Sequence, residues 1–166
     1  MDARIKVLFN GLIGVAVISA FTFNVVGCGK SDGLQREYYA NGQIKAEKSF
    51  KSGKLEGLDK EYYLGGQIMA EKNFKDGKKD GLLKEYYPNG QLKSEAFHKN
   101  GNLEGACKWY HENGQLQSEE VYSDGKREGP CKWYYKNGQL ETEGFYRNGE
   151  AGETAKWYDE NGALRR

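Results

Sequence analysis

Few residues of this chain have side chains that could carry out a reaction. The sequence contains two histidines, His98 and His111, and three cysteines, Cys28, Cys107 and Cys131. Neither Cys107 nor Cys131 has a histidine at a fixed spacing, as a nucleophile and its base would require. The glycines lie in turn signals and form no phosphate-binding loop before a helix. We therefore expect no catalytic residue, no metal site, no cofactor and no enzymatic activity.

The clearest chemical prediction from the sequence concerns Cys28. Before it, the basic residues Arg4 and Lys6 are followed by an apolar run over residues 7–26 and then by Gly27. A short basic region, an apolar region and a small residue before a cleavage site are typical of a secretory signal. The cysteine directly after Gly27 resembles the lipobox of bacterial lipoproteins. That resemblance implies cleavage before Cys28 and acylation of its sulfur and of the new amine.

The lipobox resemblance assigns segments and a location. Residues 1–27 are a lipoprotein-type signal peptide with an apolar signal helix, and residues 28–32 are the acylated cysteine and a short linker. Gly29, in place of an aspartate, implies the cell envelope and its outer membrane, on the periplasmic or the surface side. The lipid makes the membrane a partner. A plain transmembrane anchor or an uncleaved signal remains the alternative, because about twenty apolar residues can span a bilayer.

The rest of the chain repeats every 24 residues. Asn-Gly-Gln recurs with this period, and so do a glycine, an aliphatic residue, a glutamate and a tyrosine. The tyrosines of the series are Tyr38, Tyr62, Tyr86, Tyr110, Tyr134 and Tyr158. Five full repeats from Gly33 to Gly152 and a truncated sixth from Glu153 to Arg166 make residues 33–166 a single repeat domain.

Each full repeat contains two turn signals separated by segments rich in Tyr, Trp, Phe and Leu. Asn-Gly is the strongest hairpin signal and favours a type I′ turn, and a second pair such as Asp76-Gly77 follows it. The pattern predicts two strands per repeat and an all-β fold, an elongated single-layer antiparallel meander of hairpins. In such a meander Cys107 and Cys131 lie two strands apart, about 9.6 Å, which is too far for a disulfide.

A two-residue turn at each Asn-Gly also predicts which residues face each other. It places Tyr39 opposite Ile44 and Arg36 opposite Glu47. The same register gives four further pairs of opposite charge: Lys60–Glu71, Lys84–Glu95, Lys108–Glu119 and Lys132–Glu143. Because a slip of one residue would exchange the two faces of the sheet, these five pairs support the register.

The repeat resembles a known family. The pattern Tyr-Tyr-x-Asn-Gly-Gln-Leu-Lys, clearest over residues 86–93 and 134–140, is similar to the variant MORN repeat of bacterial proteins. Many of its bacterial members carry the label YwqK-family antitoxin. The resemblance implies a long, twisted sheet of β-hairpins. It is weak for function, because repeat scaffolds serve many partners.

Tryptophan occurs at one position of the C-terminal repeats. Trp109, Trp133 and Trp157 stand where the first three repeats have glutamate, and His111 and Tyr135 lie two residues beyond the first two of them. These five are candidate partner-binding residues, because Trp and Tyr concentrate binding energy and apolar patches among polar residues mark interaction sites. The alternative is that the indoles only cover the sheet by packing on the leucines of the repeat.

The charge balance excludes one class of partner. Lys and Arg number 25 against 24 Asp and Glu, for a formal net charge of +1, so no strong field attracts nucleic acid. We expect a non-catalytic, membrane-anchored lipoprotein scaffold that binds a protein or a cell-envelope glycan. The alternative is an antitoxin or immunity protein that neutralises a toxin by binding it. For an exported and anchored protein, that toxin would have to arrive from outside the cell.

Overall fold

The computed structural model describes residues 31–152 and 155–165, and the regular structure in these ranges is all β-strand. The strands are β1 (Gly33–Tyr38), β2 (Ile44–Lys51), β3 (Lys54–Leu55), β4 (Gly57–Tyr62), β5 (Ile68–Lys75), β6 (Lys78–Tyr86), β7 (Leu92–Lys99), β8 (Asn102–Tyr110), β9 (Leu116–Ser123), β10 (Lys126–Tyr134), β11 (Leu140–Arg147), β12 (Glu150–Ala151), β13 (Lys156–Tyr158) and β14 (Leu164–Arg165). The predicted signal helix and Cys28 lie outside the described residues. Within those residues, no helix is long and apolar enough to cross a bilayer.

The strands form one open antiparallel sheet in chain order. Hydrogen-bonded neighbours follow the order β1-β2-β4-β5-β6-β7-β8-β9-β10-β11-β13-β14, and the short strands β3 and β12 pair with β2 and β11. Each strand therefore pairs with its neighbours in sequence through a hairpin. The predicted all-β antiparallel meander is confirmed.

The Asn-Gly turn differs from its prediction. The Gly42 N–H donates to the Tyr39 carbonyl at 2.9 Å, and Gly42 has a positive φ of 84° whereas the asparagine before it does not. This geometry is a type I turn followed by a left-handed glycine, not a type I′ turn. The longer turn shifts the register after Glu37, so that Tyr38, and not Tyr39, pairs with Ile44. The predicted Tyr39–Ile44 pair is wrong for this reason.

The second turn of each repeat is the one with both central residues left-handed, as type I′ requires. Ser52 and Gly53 have φ of 50° and 74°. The same holds for Asp76-Gly77, Asn100-Gly101, Asp124-Gly125 and Asn148-Gly149. Glycine adopts this conformation without steric cost, and Asn and Asp tolerate it better than other residues.

The charged pairs lie where the sequence predicted them, on what we call the outer face of the sheet. Glu47 faces Arg36 on one side and Lys60 on the other. The full charge row is Arg36, Glu47, Lys60, Glu71, Lys84, Glu95, Lys108, Glu119, Lys132, Glu143 and Lys156. Tyr62 of the repeated series also donates to Glu47, at 2.9 Å. Each exposed pair contributes only about 0–1 kcal/mol, so the row specifies register more than it stabilises the fold.

The opposite, inner face holds the core. Its buried apolar residues are Ala46, Phe50, Ala70, Leu83, Ala96, Cys107 and Cys131. Most are small, because in a sheet of one layer only neighbouring long side chains can cover them. Cys107 and Cys131 both pair with Glu120 of β9, one on each side, and both thiols are free. They therefore lie two strands apart, as the meander predicts.

The left-handed glycines supply a stability test. A Cβ at Gly90, where φ is 84°, would meet no atom within 4 Å. The Gly90→Ala substitution is therefore expected to lower the free energy of unfolding only through backbone strain, by about 1–2 kcal/mol, in urea denaturation. Gly144→Ala is the control, because Gly144 is not left-handed and its Cβ would make an ordinary 3.7 Å contact with Ala155. Equal losses in the two variants would contradict the turn geometry.

Candidate functional site

One row of the inner face alternates large and small side chains across the whole sheet. Along successive strands it consists of Glu37, Ala46, Glu61, Ala70, Glu85, Ser94, Trp109, Ser118, Trp133, Thr142 and Trp157. Successive large residues are two strands apart, about 9.6 Å. The structure thus brings the three predicted tryptophans onto one line. We call the segment from Trp109 to Trp157 the tryptophan row.

The three indoles are not equally exposed. Trp109 packs on Tyr122 and Trp133 packs on Tyr146, with ring centroids 6.4 and 6.3 Å apart. Trp157 is 54% exposed. Trp109 and Trp133 therefore have a packing role, but on tyrosines, whereas the sequence suggested the leucines of the repeat; Leu116 pairs with Tyr110 and Leu140 pairs with Tyr134. Both remain partly exposed, so the packing role and a binding role are compatible.

A buried carboxylate lies beside these rings. Glu120 is only 4% exposed, and its Oε2 accepts hydrogen bonds from Arg127 Nε at 2.5 Å and from the Tyr122 hydroxyl at 2.8 Å. The hydrogen bond to Glu120 raises the pKa of Arg127 further above its usual value. Burial, together with the bond to Glu120, raises the pKa of Tyr122 to about 12. The sequence did not predict this cluster.

The Arg127 guanidinium also lies over two aromatic rings. Its central carbon is 6.0 Å from the centroid of Trp133 and 5.2 Å from that of Tyr146. A cation over an aromatic ring contributes about 0.5–1 kcal/mol at exposed sites. Since Glu120 balances the charge of Arg127, this pair adds no net charge beside the aromatic rings of the C-terminal part of the inner face.

The two cysteines beside Glu120 are poor nucleophiles. Burial raises the pKa of the Cys107 thiol to about 11, and burial also raises the pKa of the Cys131 thiol. Both are therefore protonated at neutral pH, and the thiolate is the reactive form. Within the described residues, no three His, Cys, Asp or Glu side chains are grouped so that they could hold a metal ion.

His111 and Tyr135, the other two predicted binding residues, connect neighbouring repeats. The Tyr135 hydroxyl donates to the Tyr158 carbonyl at 2.8 Å, and His111 Nε2 lies 2.9 Å from the Tyr134 carbonyl. The corresponding hydroxyls of Tyr39, Tyr63 and Tyr87 make the same contact. Because their polar atoms are used within the sheet, we assign His111 and Tyr135 a structural role. Their part in binding stays a prediction.

The opposite rim has a second set of contacts between repeats, which sequence reasoning missed. Glu56 accepts a hydrogen bond from the Asp76 N–H at 2.9 Å, and the Gly77 N–H donates to the Leu55 carbonyl at 2.9 Å. Asp80, Glu104 and Glu128 accept the same kind of bond from the next repeat's turn. The signal for these carboxylates was present, since an acidic residue recurs at this position every 24 residues.

The N-terminal part of the inner face is charged where the C-terminal part is aromatic. Lys48 pairs with Glu37 at 2.8 Å and Lys72 pairs with Glu61 at 2.7 Å. Asp59 is buried between these pairs, and burial followed by the charge of Glu61 raises its pKa. The two halves of one continuous face therefore offer different chemistry to a partner.

The fold and its rim contacts define a β-hairpin repeat protein. The family described as MORN repeat variant matches residues 31–52, 55–76, 79–100, 103–124 and 127–148, which is more than half of the chain. The chain therefore belongs to the MORN repeat variant family. The turn at residues 159–162 lies outside those matches but has the same bond, from the Gly162 N–H to the Asp159 carbonyl at 2.9 Å. No curated protein matches the chain.

The ion pair of the buried Glu120 can be tested by removing its cation, Arg127. Arg127→Ala leaves the buried Glu120 carboxylate without a countercharge and with only the Tyr122 hydroxyl donating to its Oε2, so the free energy of unfolding is expected to fall by about 1–3 kcal/mol. Adding Glu120→Gln to this variant should recover part of the loss. The control is Arg36→Ala, because the carboxylate side chain of its partner Glu47 is 21% exposed against 5% for Glu120; solvent screens that pair, and its removal should cost less stability. A loss no larger than the control's would contradict a stabilising contact between Arg127 and the buried Glu120.

Proposed function

We propose that this protein is a non-catalytic scaffold, anchored to the cell envelope through Cys28, that binds a partner on its inner face. The observation that carries the proposal is the tryptophan row, in which three indoles lie on one line with Trp157 largely exposed. Membership of the MORN repeat variant family supports a scaffold for protein or membrane interaction.

The rim contacts suit the sheet to this role. Hydroxyl-to-carbonyl bonds join the repeats at one rim, and carboxylate-to-amide bonds join them at the other. Such contacts keep the spacing of the indoles fixed before a partner arrives. Binding to a pre-ordered surface loses little conformational entropy, and exposed tryptophans are the residues that most often dominate binding energy.

The anchor sets where the scaffold acts. Four residues lie between Cys28 and the start of β1 at Gly33, and the five steps from Cys28 to Gly33 span at most about 17 Å. The repeat domain would therefore stay next to the membrane surface, and its partner would be a component of the envelope. Three acyl chains on Cys28 would give stable attachment, since two lipid signals already suffice. The residue after Cys28 favours the outer membrane.

An antitoxin or immunity role is the alternative, supported by the resemblance of the repeats to those of YwqK-type proteins. It uses the same surface, because neutralisation by binding also needs an exposed face. An adjacent gene for a secreted toxin would favour this role over a general scaffold. The anchored location restricts the target to a toxin that reaches the envelope from outside.

The anchor is tested by labelled palmitate in cells. The label is expected in the full chain and absent from Cys28→Ala, which should also move from the membrane fraction to the soluble fraction. Cys107→Ala is the matched control and should keep the label, because the Cys107 side chain is buried in the sheet. Label retained in Cys28→Ala, or absent from the unchanged protein, would contradict the proposed anchor.

The binding face is tested by crosslinking in intact cells. Trp157→Ala should reduce the partner captured by the protein while leaving the thermal unfolding temperature nearly unchanged, since the ring is 54% exposed. Phe145→Ala removes an aromatic ring that is 43% exposed on the outer face and should capture as much as the unchanged protein. If Trp157→Ala captured as much partner as Phe145→Ala and the unchanged protein, the inner face would be excluded as the binding surface.

A further inference from the structure

We propose that the tryptophan row binds a single chain of an uncharged β-1,4-linked polysaccharide, of the type built from N-acetylated amino sugars, with the chain running across the strands. This inference rests on the proposed function, because it names the partner of that same face. It commits to a polysaccharide and not to a protein, for reasons of spacing, charge and area.

The spacing of the indoles matches a β-1,4-linked chain. Trp109, Trp133 and Trp157 lie on β8, β10 and β13, with one strand between each pair. A β-1,4-linked chain presents the same sugar face at every second residue, and this repeat of about 10 Å equals twice the spacing between strands. Three indoles can therefore contact the first, third and fifth sugars of one chain.

The chemistry of the row suits a neutral ligand with an apolar face and polar edges. The residues between the indoles are Ser118 and Thr142, which have hydroxyl groups and no charge. Beside the middle of the row, Glu120 and Arg127 neutralise each other at 2.5 Å, and at its end Arg165 of β14 pairs with Trp157. Indole rings pack against the C–H face of a pyranose, and hydroxyl groups can bond its edges. The five residues of the row itself carry no charge.

The three indoles of the row alone offer less area than a standard protein interface covers. An aromatic side chain buries about 150–250 Å², so three give roughly 450–750 Å² even if fully covered. Trp109 and Trp133 are already partly covered by tyrosines. A standard protein interface needs about 800 Å² on each partner. A linear chain, by contrast, needs only a narrow strip.

The twist of the sheet further restricts the ligand. Neighbouring strands are rotated by roughly 20–25°, so successive indoles, two strands apart, are turned by about 40–50°. A free polysaccharide chain can twist about its own axis to follow them, whereas a chain held in a flat crystalline surface cannot. The row should bind soluble chains in preference to crystalline ones.

The test is an isothermal calorimetric titration of the full chain in detergent. The ligands are soluble N-acetylglucosamine oligomers of two, three and five units. Three units reach two indoles and five units reach three. The five-unit oligomer is therefore expected to bind about tenfold more tightly than the three-unit one, a difference of about 1.4 kcal/mol. In Trp157→Ala this gain should disappear, and in Trp157→Phe part of it should remain.

Two controls complete the experiment. Phe145→Ala, on the outer face, should keep the full tenfold gain, and an α-1,4-linked glucose pentamer, which curls, should not bind. No binding of the five-unit oligomer at millimolar concentration, or an unchanged gain in a folded Trp157→Ala, would overturn the inference. If the oligomers fail but Trp157→Ala still loses a crosslinked protein, the polysaccharide is wrong and the proposed binding face stands.

Discussion

A sheet of one layer has no second layer to cover it, so the repeats of this protein must hold one another. Backbone pairing joins every strand to its neighbours, and side chains join consecutive repeats at both rims. Tyr87 reaches the Tyr110 carbonyl at 2.8 Å at one rim, and Asp80 accepts from the Asn100 N–H at 3.0 Å at the other. In repeat proteins of this kind, stability is a sum of such nearest-neighbour terms.

The same constraint explains the unusual core and the candidate site. Small residues occupy the buried positions of the inner face, and only the long side chains beside them shield them from solvent. In the N-terminal repeats that cover consists of lysine and glutamate pairs, and in the C-terminal repeats it consists of indole and phenol rings. Residues that cover a single-layer sheet are necessarily partly exposed. The tryptophans can therefore both stabilise the sheet and present a surface to a ligand.

Periodicity made much of the fold predictable from sequence. The predictions that failed concern features that contacts between repeats determine. The 24-residue period and the alternation of faces predicted the meander and the charge row. They did not predict the Asn-Gly turn type, because two turn types fit that pair. Asn89 bonds the Gln91 N–H in its own turn and the Glu112 carbonyl of the next repeat. The Glu120–Arg127 pair was also missed, since neither residue recurs and the register shifts next to Arg127.

The most direct test of this account is amide hydrogen exchange in Tyr87→Phe, which removes one rim hydroxyl and keeps the ring. The account predicts faster exchange in the turn that contains Tyr87 and also in the next repeat around Tyr110, with a loss of about 1 kcal/mol in the free energy of opening. Repeats far from the substitution, such as the hairpin of β1 and β2, should keep their protection. Exchange that is unchanged, or changed only in the hairpin of Tyr87 itself, would show that the rim contacts do not hold the repeats together.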